Sequence, residues 1–141
     1  MLFIASDHAG FLLKQKLVEF LTKSNIPFKD LGTDSTDSVD FPTYCKKLTT
    51  EVKQSAENRG ILICGSGIGM SICANRDSAI RAALCQNTEF ARLAREHNDA
   101  NVLILAGRYT TAQKAKRMVK VFLNTEHLGG KYSKRMHLID N

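Results

Sequence analysis

The sequence lacks any stretch that could span a bilayer. Its longest apolar runs, such as Val102 to Ala106, fall far short of the ~20 residues a membrane helix requires. It also lacks an export signal. Met1 runs directly into the strand-like Leu2-Phe3-Ile4-Ala5, with no basic leader and no cleavable apolar stretch, so a cytoplasmic location is expected. No two of the four cysteines, Cys45, Cys64, Cys73 and Cys85, are separated by only two residues. That spacing argues against a zinc site and a dithiol redox pair, and reduced thiols are expected. No group of His, Asp and Glu has metal-ligand spacing. Zinc fingers, an aromatic ribonucleoprotein signature and a convincing helix-turn-helix are all missing, so nucleic acid is not an expected partner. There are no repeats, long linkers or low-complexity segments.

What remains is an ordinary globular composition, 43% apolar and 24% charged over 141 residues, enough for one domain spanning 1–141 with its own core. Strand and helix alternate along it. Residues 1–5 read as a strand. Ala9 to Lys23 reads as a helix with Phe11, Leu12, Leu17, Phe20 and Leu21 on its apolar face. Phe28 to Leu31 is a short strand, Gly32 to Pro42 a polar loop and 43–57 a helix. Gly60 to Cys64 has the continuous apolar character of a strand buried on both faces. Further strands are expected at 80–84 and 101–106, and further helices from the glycine loop to about Asn75, over 88–96, over 110–124, and from about Lys131. The fold class expected is α/β: a five-stranded parallel sheet in a three-layer, Rossmann-like arrangement. In such sheets the chemistry gathers at the carboxyl ends of the strands.

Three polar constellations stand at element ends. The first is Gly65-Ser66-Gly67-Ile68-Gly69, between a strand and a helix. Glycines let such a loop aim several backbone amides at one point, where an anion or a developing oxyanion would sit. The loop has neither the Lys of a Walker A motif nor the spacing of a dinucleotide fingerprint, and a plain tight turn is an equal reading. Cys64 precedes it. Amides at a helix start favour a thiolate, which can serve as base or nucleophile; the alternative is a structural cysteine ending an apolar strand. The second is Asp7-His8 after the first strand, where a carboxylate and an imidazole can move protons, His8 can bind phosphate, and Asp7 can cap the next helix. The third is His97-Asn98 at the end of a helix, where a histidine ordinarily pairs with the helix C-terminus. His127 and His137 read as surface residues, and Cys45, Cys73, Cys85 and Met70 as packing.

The net charge of +6 is unevenly placed. Between Arg108 and Arg135 stand eight basic residues and one acid, Glu126, leaving the rest of the chain near −1. Lys114, Lys116, Arg117 and Lys120 suit a solvated helix face. An anion site is the sharper reading of this segment. The residues alone leave two classes open: an enzyme acting on a phosphorylated metabolite, or a non-catalytic module binding nucleotides or phosphometabolites.

Three segments in register resemble one family. They are Ser6-Asp7-His8-Ala9-Gly10, Ile61 to Ser71 (ILICGSGIGMS), and Arg95-Glu96-His97-Asn98-Asp99-Ala100-Asn101. Together with Ser38-Val39-Asp40-Phe41-Pro42 and Gly129-Gly130-Lys131 they resemble type B ribose-5-phosphate isomerases, a family that includes the galactose-6-phosphate isomerase subunits. The resemblance implies an aldose–ketose isomerase of the pentose phosphate pathway, interconverting ribose 5-phosphate and ribulose 5-phosphate through ring opening and a cis-enediolate. Related six-carbon substrates, allose 6-phosphate or galactose 6-phosphate, are the alternative. It implies a homodimer, possible as a tetramer, with a shared active site, no metal and no cofactor.

The same resemblance implies roles. Cys64 corresponds to the family's base, Ser66 to the residue handling the proton on O1 and O2, and His97, with Asp7 nearby, to ring opening. Gly65, Gly67, Ile68 and Gly69 correspond to the enediolate hole and Asn98 to a substrate-binding residue. His8, Arg108, Lys131 and Arg135 correspond to the phosphate set, part of it from the partner subunit, which gives the basic tail (about 129–141) a function. One version of the family carries Cys at the strand end and another a Glu after the last loop glycine; with Cys64 and Met70, this chain resembles the first. Lys131 stands where Arg is common, and a Lys attracts phosphate without the bidentate fork. Tyr132 stands where His is frequent.

Overall fold

The computed structural model describes residues 1–141. Five strands, β1 (Leu2–Ser6), β2 (Phe28–Asp30), β3 (Arg59–Cys64), β4 (Ala82–Leu84) and β5 (Val102–Ala106), form one sheet in the order β2-β1-β3-β5-β4. Every pairing is parallel. Six helices complete the chain: α1 (Phe11–Lys23), α2 (Phe41–Val52), α3 (Ile68–Ala74), α4 (Thr88–Glu96), α5 (Ala112–Asn124) and α6 (Lys131–Asp140). No helix is long and apolar enough to cross a membrane.

The strands alternate between two separate cores, as a pleat of period two demands. Ile4, Ile61, Ile63, Leu103 and Leu105 pack with Leu17 and Leu21 of α1, Ala91 of α4 and Met118 and Phe122 of α5. Phe3, Leu62, Cys64, Val102 and Ile104 pack with Cys45 and Leu48 of α2 and Met70 and Ala74 of α3. Both faces are therefore covered, which explains the uninterrupted apolar run of β3. The expected three-layer α/β/α fold with a five-stranded parallel sheet is the one observed.

Several element ends differ from their expected places, for local reasons. α1 begins at Phe11 rather than Ala9, because the Gly10 N–H donates to Asp7 Oδ1 (3.0 Å) and the chain turns before the helix starts. α2 begins earlier than expected, with Pro42 in its first turn where a missing N–H costs nothing. It stops at Val52, where the Asn58 side chain donates to Glu51 O (2.9 Å) and the Glu57 N–H to Ser55 Oγ (3.3 Å). Such side-chain bonds offer the backbone an alternative to the helix. β4 begins at Ala82, because the Arg81 N–H donates to Asn101 Oδ1 (2.9 Å) rather than to a neighbouring strand.

One ion pair joins a buried lysine to an exposed aspartate. Lys14 on α1 is only 1% exposed, and its Nζ sits 2.7 and 2.6 Å from the two oxygens of Asp30 at the end of β2. Asp30 Oδ1 also accepts the Gly32 N–H (2.9 Å). The chain beyond it then clasps Ser6: Ser6 N–H donates to Gly32 O (2.7 Å) and Thr33 N–H to Ser6 O (2.9 Å). Removing the aspartate strands the charge of the buried lysine. Asp30→Ala is therefore expected to destabilise the fold by about 3 kcal/mol, measured by urea denaturation. A loss below about 1 kcal/mol, the worth of a surface pair, would show that Lys14 finds water instead.

Candidate active site

In the strand order, β1 has β2 on one side and β3 on the other, so the chain leaves these two central strands in opposite directions. The crevice between their carboxyl ends is where ligands bind in open α/β sheets. Here it holds a cavity of about 320 Å³ lined by Asp7, His8 and Ala9 from the end of β1, Cys64, Gly65, Ser66 and Gly69 from the end of β3, and Arg108 and Tyr109 beyond β5, with Phe41 as a wall. Larger hollows exist elsewhere, notably one of about 620 Å³ between β4 and α6, but none combines a thiol, an imidazole and a guanidinium.

Close backbone approach builds this crevice. A Cβ at Gly10 would fall 2.6 Å from Ile63 O, so a side chain there would force the β1 and β3 ends apart. Gly107 N–H donates to Cys64 O (2.7 Å) and Arg108 N–H to Gly65 O (3.0 Å), fastening the β5 end alongside. Gly67 has a φ of +77°, a left-handed turn that reverses the chain into α3 and that suits glycine. In this loop the Ile68 N–H donates to Ser66 Oγ (3.2 Å), whereas the amides of Gly65, Ser66, Gly67 and Gly69 donate to no protein acceptor. Free amides beside a thiol are the donors that an anion hole requires.

The other residues of the crevice have defined states. Asp7 is buried and its carboxylate holds the Gly10 amide, so it shapes the turn that carries His8. His8 Nδ1 accepts the Val39 N–H (3.2 Å). The neutral ring then carries its proton on Nε2, leaving that nitrogen as a donor. Arg108 is exposed, with a guanidinium nitrogen 3.5 Å from the place a Cβ would take on Gly65.

His97, Asn98, Lys131 and Arg135 lie elsewhere. α4 runs back along the sheet, so its C-terminal end reaches the amino ends of the strands, where Gly60 N–H donates to Asn101 O (2.9 Å). The length of β5 separates that edge from the crevice, roughly 13 Å at the rise of a strand. His97 stacks on Tyr132, ring centroids 4.3 Å apart and 9° from parallel. Lys131 and Arg135 stand over the same Tyr132 ring at 5.2 and 5.8 Å. Asn98 is exposed, with its amide 3.9 Å from Met136 Sδ. One chain thus carries the two groups of expected site residues at opposite edges of its sheet. The motif reading did not single out Phe41 or Tyr109 as cavity residues, nor Tyr132 as the stacking partner of His97. An aromatic next to a basic residue, Arg108-Tyr109 and Lys131-Tyr132, was the available signal for both tyrosines. His127, expected at the surface, is half-buried and bonded through both ring nitrogens.

An all-parallel α/β/α fold with unpaired amides, a thiol and an imidazole at its switch point has the donors a small anionic ligand requires. The sequence profile of the Ribose/Galactose Isomerase family matches residues 2–139, and the chain belongs to that family. The ribose-5-phosphate isomerase B of Escherichia coli is 38% identical over 133 residues, covering 94% of this chain and 89% of that protein. The crystal structure of a ribose 5-phosphate isomerase from Thermotoga maritima superposes with a TM-score of 0.94 at 47% identity, covering 99% of this chain and 96% of that one. The Mycoplasma genitalium ribose-5-phosphate isomerase B, solved with bound ribulose-5-phosphate, superposes with a TM-score of 0.94 at 36% identity, covering 99% and 93%.

Burial acts on two of the thiols in the core. It pushes the Cys45 thiol well above its ordinary value, with the neighbouring Cys73 and Cys64 adding to the shift, and it raises Cys85 to about 11. Only the thiolate reacts, so raised thiols are protected. At pH 8 a small alkylating reagent is expected to modify Cys64, at the cavity, and half-buried Cys73 well before Cys45 and Cys85, as read by peptide mass mapping. Early labelling of Cys45 would contradict its burial.

Proposed function

We propose that this protein interconverts ribose 5-phosphate and ribulose 5-phosphate by general-base catalysis at Cys64. The observation that carries this reading is the placement of a buried thiol next to a loop of unpaired amides, in a cavity that also holds His8 and Arg108. His8 Nε2–H and the Arg108 guanidinium supply charge-assisted donors for the phosphate. The sugar chain then extends from them towards Cys64.

Aldose–ketose isomerisation needs a proton removed from C2 and one returned to C1, with negative charge developing on O1 and O2 in between. The Cys64 thiolate takes the C2 proton. The amides of Gly65, Ser66, Gly67 and Gly69 hold the enediolate oxygens, fixed in place before charge develops, which is where such donors contribute most. Ser66 Oγ passes the proton between O1 and O2, and the Cys64 thiol returns its proton to C1. Asp7 is engaged with the Gly10 amide, and Met70 is buried and has no basic group, so no free carboxylate competes with Cys64. The reading is also supported by the bound ribulose-5-phosphate of the Mycoplasma genitalium relative.

Ring opening requires the second half-site. His97 serves there as acid–base group, Asn98 contacts the sugar, and Lys131 and Arg135 add charge for the phosphate. Since these residues face away from Cys64 within one chain, a second copy must bring them to it. A two-fold dimer does so twice by symmetry. Ile68 and Ile72, a helical turn apart beside the loop and 56% and 57% exposed, form an apolar stripe suited to that contact.

The direct test is to supply ribose 5-phosphate to the purified protein and follow ketose formation; no product would end the proposal. Cys64→Ala is expected to lower kcat by at least ~100-fold with little change in KM. Near-normal exchange of the substrate C2 hydrogen with heavy water in that variant would remove Cys64 as the base. Mixing inactive Cys64→Ala with inactive His97→Ala is expected to restore some activity, because each hybrid carries one intact site. No recovery despite demonstrated subunit exchange would place both half-sites' functions within one chain.

A further inference from the structure

His127 lies in the segment between α5 and α6, outside both half-sites. Its Nδ1 is 2.9 Å from the backbone oxygen of Glu96, and its Nε2 is 2.9 Å from Ser133 Oγ. A carbonyl oxygen only accepts, so Nδ1 carries a proton; in the neutral ring Nε2 then accepts the Ser133 hydroxyl. The two anchored residues matter because of their neighbours. Glu96 immediately precedes His97, and Ser133 immediately follows Tyr132, the two rings that stack at 4.3 Å. The geometry points to His127 as a positioning residue that clamps both ends of the His97–Tyr132 stack and so holds His97 in register for ring opening.

No other contact of α6 does this. Its far end is tied through Arg81 to Asp140 (2.6 Å) and its middle through Met136 against Asn98. On the α4 side, Leu128 N–H also donates to Glu96 O (3.1 Å), so that attachment survives loss of the imidazole. The bond to Ser133 does not survive it. Without that bond the first turn of α6, bearing Lys131 and Tyr132, loses its side-chain tether to the end of α4. A displacement of about 1 Å in a reacting group can cost on the order of a hundredfold in rate.

This inference rests on the reading of His97 as the ring-opening residue, and the experiment separates the two. His127→Phe keeps a ring in place and removes both hydrogen bonds; Ser133→Ala removes only one and keeps the imidazole. With the two rings stacked at 4.3 Å, the Tyr132 ring current is expected to shift the His97 ring-proton NMR signals upfield in the wild-type protein. That shift is expected to collapse in His127→Phe and to weaken in Ser133→Ala, with or without substrate chemistry. Ribose 5-phosphate is mainly a closed furanose, whereas ribulose 5-phosphate has no 5-hydroxyl with which to close. His127→Phe is therefore expected to lower kcat on ribose 5-phosphate about tenfold or more. Deuterium wash-in from heavy water into C1 of saturating ribulose 5-phosphate, which needs only Cys64 and the loop, should stay within about twofold of wild type.

An unchanged His97 signal in both variants overturns the clamp. An equal loss of both activities also overturns it, since that is the mark of a general structural defect. If His127→Phe does not fold, Ser133→Ala carries the same split on its own. Collapse of the His97 signal with no change in either activity would keep the clamp and refute the role of His97 in ring opening.

Discussion

Parallel pairing of β1 with β3 at the centre of a sheet covered on both faces is the constraint from which the rest follows. Buried on both sides, these strands have no lateral surface on which polar chemistry could sit. Their carboxyl ends are the places where side chains and backbone amides meet solvent together. β2 and β5 then lie on opposite flanks, so the chain departs from β1 and β3 in opposite directions and leaves a crevice. Gly10 and Gly107 allow the three strand ends to close to backbone contact around it. The thiol, the unpaired amides and the imidazole all come from residues within two positions of a strand end or from the turn into α3.

Charge is managed differently at the two edges. At the carboxyl edge, positive potential comes from amides and from Arg108 and His8, few of them held by protein acceptors. An anion arriving there meets donors already in place and displaces little protein structure, which is how preorganised sites gain strength. At the amino edge the cations are more heavily engaged. Arg95, 4% exposed, donates to Asp99, Ala100 O and Thr125 O and lies 5.8 Å over Phe122. Arg81 links Asp99 to Asp140. This network braces the loop that carries His97 and Asn98, and it ties α6 to the body of the fold. Lys131 and Arg135 stand outside it, against the Tyr132 ring.

The Lys14–Asp30 pair belongs to the first of these edges. Such a pair gains less stability than well-packed apolar groups would, but it demands one register between α1 and β2. That register sets the Gly32–Thr33 backbone against Ser6, and Ser6 leads into Asp7 and His8. The polar loop after Gly32 returns Val39 to the His8 ring, so the same segment positions the imidazole from two directions.

Much of this was legible in the chain itself. Strand and helix alternation, the apolar run of β3, and the Ser6–Gly10 and Gly65–Gly69 turns are local patterns, and local patterns survive folding because they reflect backbone geometry and burial of contiguous residues. The family motifs are contiguous runs of the same local kind. Element ends were less legible where one side chain diverted the backbone, as Asp7, Asn58 and Asn101 do. What the sequence could not disclose was which polar residues share an edge. His97 precedes β5 and Cys64 ends β3, and only the direction of α4 across the sheet puts them on opposite sides. Tyr132 stacked on His97 and His127 bridging Glu96 to Ser133 depend on where α6 lands, which is decided by Met136 and Asp140 meeting distant partners. Sequence separation carries no information about such contacts, because the chain between them is long enough to permit many placements and packing selects one.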